Sequence, residues 1–265
     1  MPNRRSTLAF DFDKRFPHLP SAPIVEAVIQ WRARADRQWK ADDLRDELLK
    51  RLPEFPESRP QHQFTFEAEF GDSDTARHER TVRWVGFRLE SIDKRYISQF
   101  NRDGVTFSRL EPYNDWISFS KEARRHWHVF RELASPTEVQ RLGVRFINRI
   151  ELVELSNLDT ILTQPPKCLH QLDLPVSGFL YQSTHEVPEY PFCINVSRTV
   201  QPASPPQRDG YGLILDIDVY TTRALECDDA EIDRHLAMMR SLKNMVFFSL
   251  LKEDALKPFK RAKND

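Results

Sequence analysis

Two pairs of charged residues on strand-like segments are best placed in this chain to do chemistry. Arg145 and Arg149 are four residues apart in VQRLGVRFINRIEL (139–152), and Asp216 and Asp218 are two apart in LILDIDVY. Apolar and polar residues alternate in both segments, as is typical of a strand with two different faces. The arginines, about 13 Å apart along a strand, would face either acidic residues of a neighbouring strand or an anionic ligand.

The spacings of the two pairs differ, so a strict one-to-one ladder between them is excluded. Arginine is long enough to reach diagonal cross-strand neighbours, which favours a structural charge cluster with the aspartates. The alternative is a divalent cation bound by Asp216 and Asp218, with Glu26 or Glu151 as a further carboxylate. Glu26, Arg145, Asn148, Arg149, Asp216 and Asp218 are therefore the candidates for a ligand site or a polar network.

A second candidate surface interleaves basic and aromatic residues on a predicted hairpin with its turn at 101–104. Aromatic side chains on a sheet, flanked by arginines, can stack and neutralise single-stranded nucleic acid. Strands of any half-buried sheet also alternate aromatic and charged residues, so a structural role stays open. The nucleic-acid candidates are Lys94, Arg95, Tyr96, Phe100, Arg102, Phe107 and Arg109.

Motifs of the common catalytic and cofactor-binding classes are absent from the sequence. There is no GxSxG, HExxH or GxxxxGK[ST], and seven glycines are too few for the usual phosphate-binding loops. His126 and His128 are two residues apart on a predicted helix, so they do not share a face on which to chelate one metal. The sequence predicts no catalytic residue, no metal ligand and no cofactor.

Composition narrows the class of protein further. Among 265 residues, Lys+Arg 39 and Asp+Glu 40 nearly cancel, which removes the simplest argument for a nucleic-acid-binding domain. Three cysteines without a CxxC pair indicate free thiols in a reducing compartment. No signal peptide or membrane-spanning apolar run is present, so a cytoplasmic protein without membrane contact is expected.

The order of predicted elements indicates an α+β protein, with helices packed on a mainly antiparallel sheet. A single domain with two halves is expected: 1–155 in a ferredoxin-like (split βαβ) order, and 156–265 with antiparallel strands and a long C-terminal helix. Residues 24–34 are predicted to form a central strand covered on both faces. Further strands are predicted at 61–70, 81–91, 139–152, 172–182, 192–198 and 211–221, with a hairpin at 96–109, and helices are predicted at 42–52, 115–134 and 230–251.

The C-terminal helix carries more apolar surface than one sheet face needs. Met238, Met245, Phe247 and Phe248 broaden its main apolar stripe. The sequence therefore predicts either a helix buried in its own fold or contact with a protein partner or a second copy of the chain.

Three segments carry a resemblance to a known family. They are LxxAPIVEAVI (19–29), RLGVRFINRI (141–150) and LDIDVY (215–220), followed by a long helix rich in Met and Phe. The chain resembles a sporadically distributed family of uncharacterised bacterial proteins of about this length. The resemblance implies no activity or site residues. Patchy distribution implies horizontally moved genes, among which phage-defence and toxin–antitoxin cassettes are common.

Three hypotheses of function follow. The first is a non-enzymatic, soluble binding subunit that acts with a partner protein, in keeping with the missing catalytic motifs. The second is a protein that binds single-stranded nucleic acid or a nucleotide. The third is a divalent-metal-dependent enzyme built on the two aspartates and Glu26.

Overall fold

The computed structural model describes residues 10–35, 39–69, 77–167, 172, 174–202 and 210–261. Within these ranges the strands are β1 (Ile24–Ala35), β2 (Glu57–Glu69), β3 (Arg77–Glu90), β4 (Tyr96–Asn101), β5 (Gly104–Leu110), β6 (Pro136–Leu152), β7 (Leu180–Glu186), β8 (Phe192–Pro202) and β9 (Tyr211–Thr221). The α-helices are α1 (Ala41–Arg51), α2 (Trp116–Ala134), α3 (Leu158–Ile161) and α4 (Asp229–Leu250), with 3-10 turns at Leu155–Asn157 and Glu253–Lys260.

All these strands form one antiparallel sheet in the order β2-β3-β4-β5-β1-β6-β9-β8-β7. The α+β class and the long C-terminal helix predicted from the sequence are therefore confirmed. The ferredoxin-like order of the first part is not confirmed and stays a prediction. Pairing of β6 with β9 joins strands of the two predicted halves within the same sheet.

Alternation along each strand gives the sheet two different faces. On β1, Ala27, Ile29 and Trp31 are fully buried, whereas Gln30 is half-buried and Arg32 exposed on the other side. α2 packs on β5 and β1, α4 packs on β9 and β6, and α1 contacts β3 on that same buried side. No described helix covers the other side, called here the open face. The prediction that β1 is covered on both faces is wrong. Val28, an apolar residue of β1 on the open face, is only half-buried.

Aromatic side chains fill the layer between the sheet and α2. The indole rings of Trp31 and Trp127 stack with centroids 5.7 Å apart, and Trp127 stacks in turn on Phe130. Such rings bury large apolar areas, so their removal from water is a major stabilising contribution to the fold. The helix is thus fixed against β1 and β5 by side chains spaced at helical intervals.

The ends of the two long helices are set by capping residues. The Asp115 carboxylate accepts a hydrogen bond from the Ser118 amide (2.8 Å) at the start of α2, and Asp228 does the same for Glu231 (2.8 Å) at the start of α4. Ser135 adopts a left-handed conformation (φ 47°) that ends α2 directly before β6. Among the described helices, none combines the length and the apolar character needed to cross a membrane.

Several strands differ from their predicted bounds, and for β3 and β7 the difference has a physical reason. β3 begins at Arg77, inside the polar segment 71–80 predicted as a loop, because main-chain pairing with β2 does not need apolar side chains. β7 covers 180–186 rather than 172–182, and residue 173 lies outside the described residues. Every residue of β7 is exposed, so no apolar alternation marks this strand in the sequence.

Candidate functional site

The charged face of β6 forms ion pairs with β9 on the open face. Arg145 lies directly opposite Asp218 in the strand register, yet its guanidinium reaches diagonally to Asp216. Its Nε and Nη2 donate to the two Asp216 carboxylate oxygens at 2.8 and 2.5 Å. This bidentate contact raises the pKa of Arg145. The cross-strand arrangement agrees with the predicted charge cluster.

Arg141, which was not among the predicted site residues, is the partner of Asp218. It donates to the Asp218 carboxylate (2.9 Å) and to Gln30 Oε1 (2.7 Å), and its guanidinium lies 4.5 Å from the centroid of the Tyr220 ring. Burial raises the pKa of Asp218, although Arg141 and Arg145 act against that shift. Arg141 could have been found from the sequence, because it shares the period-two face of Arg145.

The remaining predicted polar residues do not form one site. Arg149 donates to Glu151 (2.7 Å) on its own strand. Glu26 is half-buried on β1 and forms no ion pair within 4.0 Å among the described residues. Asn148 lies on the opposite, helix-covered side of β6, as its even position in the alternation requires.

A cavity of about 500 Å³, the second cavity, lies over the open face between β1, β5 and β6. Arg141, Arg145 and Asp218 line it, but all three are already paired as described. An incoming anion or metal would have to compete with these internal ion pairs. Both aspartates of the predicted metal site are thus paired with arginines. The metal-dependent enzyme predicted around Asp216, Asp218 and Glu26 stays a prediction.

The hairpin predicted to stack nucleic acid presents its aromatic residues to the core. Phe100 and Phe107 are fully buried on β4 and β5, and Arg109 is only 4% exposed. Tyr96 stacks on Phe107, and the Arg109 guanidinium lies 4.3 Å from the Tyr96 ring. Arg102 packs on Trp84, and Lys94 and Arg95 are exposed at the turn before β4. The predicted surface for stacking nucleic-acid bases is therefore wrong, because the aromatic side of the hairpin packs against α2.

The broad apolar surface of α4 is covered in part by the start of the chain. Residues 10–23, called here the N-terminal arm, run along this helix. Phe16 stacks on Phe248 with centroids 5.1 Å apart, and the Phe12 carbonyl accepts a hydrogen bond from Ser241 (3.1 Å). Phe247 is buried, and Met238 and Met245 are half-buried against the core. Much of the predicted excess of apolar surface therefore packs within the chain itself.

A cavity of about 540 Å³, the main cavity, lies between the N-terminal arm, the start of α2 and α4, with β6 as its floor. Its walls combine aromatic rings with basic side chains. The lining includes Phe12, Lys14, Arg15, Phe16, His18, Tyr113, Asp115, Trp116, Phe146, Asn148, Arg240, Lys243, Phe247 and Phe248.

Lys243 is the most perturbed titratable group of this cavity. Burial lowers the pKa of its ammonium to about 7, and the nearby positive charge of Arg240 acts in the same direction. Its Nζ lies 4.1 Å from the centroid of the Phe146 ring, a cation–π contact. No carboxylate of the described residues lies within ion-pair distance of Lys243.

The charge of the main cavity is not balanced by its own acidic group. Four of its lining residues are lysines or arginines, whereas Asp115 is the one carboxylate among them. Hydrogen bonds from the Ser118 amide and hydroxyl, at 2.8 Å each, occupy Asp115 and lower its pKa. Burial raises the pKa of Tyr113, which keeps its hydroxyl neutral. The cavity is therefore an electropositive site with neutral hydrogen-bonding groups.

Asn148 is the one predicted site residue that lines the main cavity. It is 2% exposed, and both of its hydrogen bonds, to the carbonyls of Leu215 (3.1 Å) and Phe146 (3.4 Å), use Nδ2. Its Oδ1 takes part in neither bond and can accept a hydrogen bond from a ligand.

The sequence analysis missed Arg240 and Lys243, because charged residues on an amphipathic helix usually mark its solvated side.

The three segments behind the family resemblance contain parts of β1, β6 and β9, which are adjacent strands of the sheet. Of their polar residues, only Asn148 contributes to the main cavity; Arg145 and Asp218 line the second cavity. Family models, curated proteins and solved structures show no match to the chain. The family resemblance stays a prediction, and the main cavity is interpreted from its own chemistry.

Proposed function

We propose that the protein binds a small anionic ligand of the nucleotide class in the main cavity. The observation that supports this most directly is the set of basic side chains there, with no described carboxylate paired to Lys243 and with Asp115 occupied by the α2 cap. This function belongs to the nucleotide-binding alternative predicted from the sequence, at a different place in the fold.

Electrostatics favour an anion over a neutral or cationic ligand. Arg240 and Lys243 lie on one side of α4, three residues apart, and Lys14 and Arg15 lie on the facing N-terminal arm. An anion between them would relieve the mutual repulsion of these cations and supply the missing counter-charge of Lys243. A phosphate group suits this role because it presents several acceptor oxygens to lysine and arginine.

Aromatic walls favour a ligand that also has a planar part. Trp116 and Tyr113 are half-buried at the start of α2, and Phe16 and Phe248 form a stacked pair opposite them. Aromatic rings stack on bases without strong preference among them, at about 1–3 kcal/mol per base. The volume of about 540 Å³ lies within the usual range for small-molecule sites.

Titration calorimetry with ATP, adenosine and pyrophosphate would test the proposal. We expect ATP and pyrophosphate to bind, and Lys243→Met and Arg240→Met to weaken both by about 10-fold or more, since each removes a charge-assisted hydrogen bond. Arg234→Met removes an exposed charge of α4 outside the cavity and is the matched control. Equal affinity for adenosine and ATP, or loss of binding in the control alone, would contradict an anion site.

An interaction subunit acting with a partner protein is the second candidate. Besides the exposed part of α4, β7 supports it, since β7 is a sheet edge with Leu180 and Tyr181 61% and 45% exposed. In a bacterial phage-defence or toxin–antitoxin cassette, the partner would be encoded beside this chain. Light scattering after size exclusion, alone and with the products of neighbouring genes, tests this; a monomer that binds none of them counts against it.

We also propose that the first part of the chain is an elaborated ferredoxin-like unit. The neighbouring strands β6-β1-β5-β4 alternate in direction, and α2 connects β5 with β6 on the helix-covered side, which supports such a unit. In this interpretation β2 and β3 are an inserted hairpin that widens the sheet. A chain with β2 and β3 replaced by a short turn should then keep its cooperative unfolding transition.

A further inference from the structure

A cluster of three side chains on and beside α2 lies apart from both cavities. Glu122 and His126 are one helical turn apart, so they project from the same side of α2. Glu54 comes from the connection between α1 and β2. One donor atom from each of the three side chains lies within 4.8 Å of the other two.

His126 gives this cluster an unusual buried nitrogen. The residue is 0% exposed, and its Nδ1 lies 2.8 Å from the Ser98 hydroxyl oxygen. Its Nε2 has no hydrogen-bond partner and lies 3.5 Å from Glu122 Oε1. The rings of Phe55 and Phe107 pack against the imidazole with centroids 4.6 Å away, which fixes its orientation. A buried polar atom without a partner calls for an explanation.

We propose that Glu54, Glu122 and His126 bind a divalent transition-metal ion, with Zn²⁺ as the reference case. Imidazole nitrogen and carboxylate oxygens are a common zinc ligand set, and the metal gives Nε2 the partner that it lacks. A proton on Nδ1 donated to Ser98 fixes the imidazole in the tautomer that a metal needs. The glutamate side chains are 40% and 30% exposed, so the ion enters from solvent and keeps an open fourth position for water.

Arg125 holds the place of the cation in the metal-free protein. Its Nη1 lies 2.7 Å from Glu122 Oε1, and its Nη2 contacts Glu54 Oε1. The guanidinium thus offsets the repulsion between the two carboxylates. A metal ion competes with it for the same oxygens, so removal of Arg125 strengthens metal binding. A purely structural role of the cluster gives no such gain.

Calorimetric titration of the full chain with ZnCl₂ tests the site. We expect one equivalent to bind, with Glu54→Gln and Glu122→Gln each weakening binding by about 10-fold or more and Arg125→Gln strengthening it. Glu132→Gln is the matched control, because Glu132 lies on α2 outside the cluster and pairs with Arg51 of α1. Circular dichroism of each variant establishes that it is folded.

Cobalt reports the same site by spectroscopy, since bound Co²⁺ absorbs visible light in a way that depends on its ligands. The bound spectrum should be present in the control and lost in Glu122→Gln. The proposal is overturned if the wild type does not bind one Zn²⁺ saturably, if both glutamine variants bind like the wild type, or if Arg125→Gln binds more weakly.

Discussion

The electrostatics of the main cavity can be tested by removing the charge of Lys243 and measuring how the free energy of unfolding depends on pH. The pKa of Lys243 is about 7 in the folded chain and about 10.4 in an unfolded one. At a pH between these two pKa values, the unfolded chain binds more protons than the folded chain. The contribution of Lys243 to the free energy of unfolding therefore increases as pH rises, which stabilises the folded chain. From pH 7 to pH 9 that gain is about 2 kcal/mol, since each pH unit is worth up to about 1.4 kcal/mol and half of the folded chains still hold the proton at pH 7.

Urea denaturation of wild type and Lys243→Met at pH 7, 8 and 9 measures this gain. Methionine keeps much of the side-chain volume but cannot titrate, so the variant should be more stable than wild type at pH 7. The difference should shrink by about 2 kcal/mol at pH 9. Lys121→Met, at an exposed position of α2, controls for the loss of one positive charge. Parallel pH profiles of wild type and Lys243→Met would refute the perturbed lysine and, with it, the charge argument for the cavity.

Four further substitutions test the fold by urea denaturation and proteolysis. Trp127→Ala should lower the free energy of unfolding by about 3–5 kcal/mol, because it leaves a cavity against Trp31; a loss below about 1 kcal/mol would contradict the packing. Arg141→Met should destabilise the chain by about 1–2 kcal/mol and Arg145→Met by less than about 1 kcal/mol, because the Arg145 side chain is 48% exposed and that of Arg141 only 25%. The reverse order would count against these pairings. Phe16→Ala should cost about 1 kcal/mol and speed cleavage within the N-terminal arm in limited proteolysis, whereas an unchanged cleavage rate would place the arm elsewhere.

Period-two alternation accounts for the parts of the fold that were predicted best. β6 and β9 lie side by side, as the complementary charges of Arg145 and Asp216 suggested, because one side of each strand is mainly apolar. The alternation could not reveal which acidic residue each arginine reaches, since a side chain as long as arginine chooses among diagonal neighbours. β7 was misplaced for the opposite reason: both of its sides are exposed, and no apolar alternation runs along it.

The main cavity could not be predicted, because no single segment contains it. Lys243 becomes a half-buried cation only when the N-terminal arm covers α4 and the start of α2 closes the other side. Its neighbours in the sequence place it on an ordinary amphipathic helix. The pair of Glu122 and His126 did carry a local signal, four residues apart on one helix, but Glu54 is brought to it only by tertiary packing.

The central position of β1 has a consequence for how this chain reaches its folded state. β1 is the first strand of the described residues, yet among the strands described it pairs with β5 and β6, which come much later; Arg32, for example, lies opposite Gly104 and Arg141. The middle of the sheet therefore forms only after a loop of about 70 residues or more has closed, which costs conformational entropy of the chain. Long-range pairing of this kind slows folding to milliseconds or seconds. During synthesis on the ribosome, β1 stays without its neighbours until β5 and β6 have emerged.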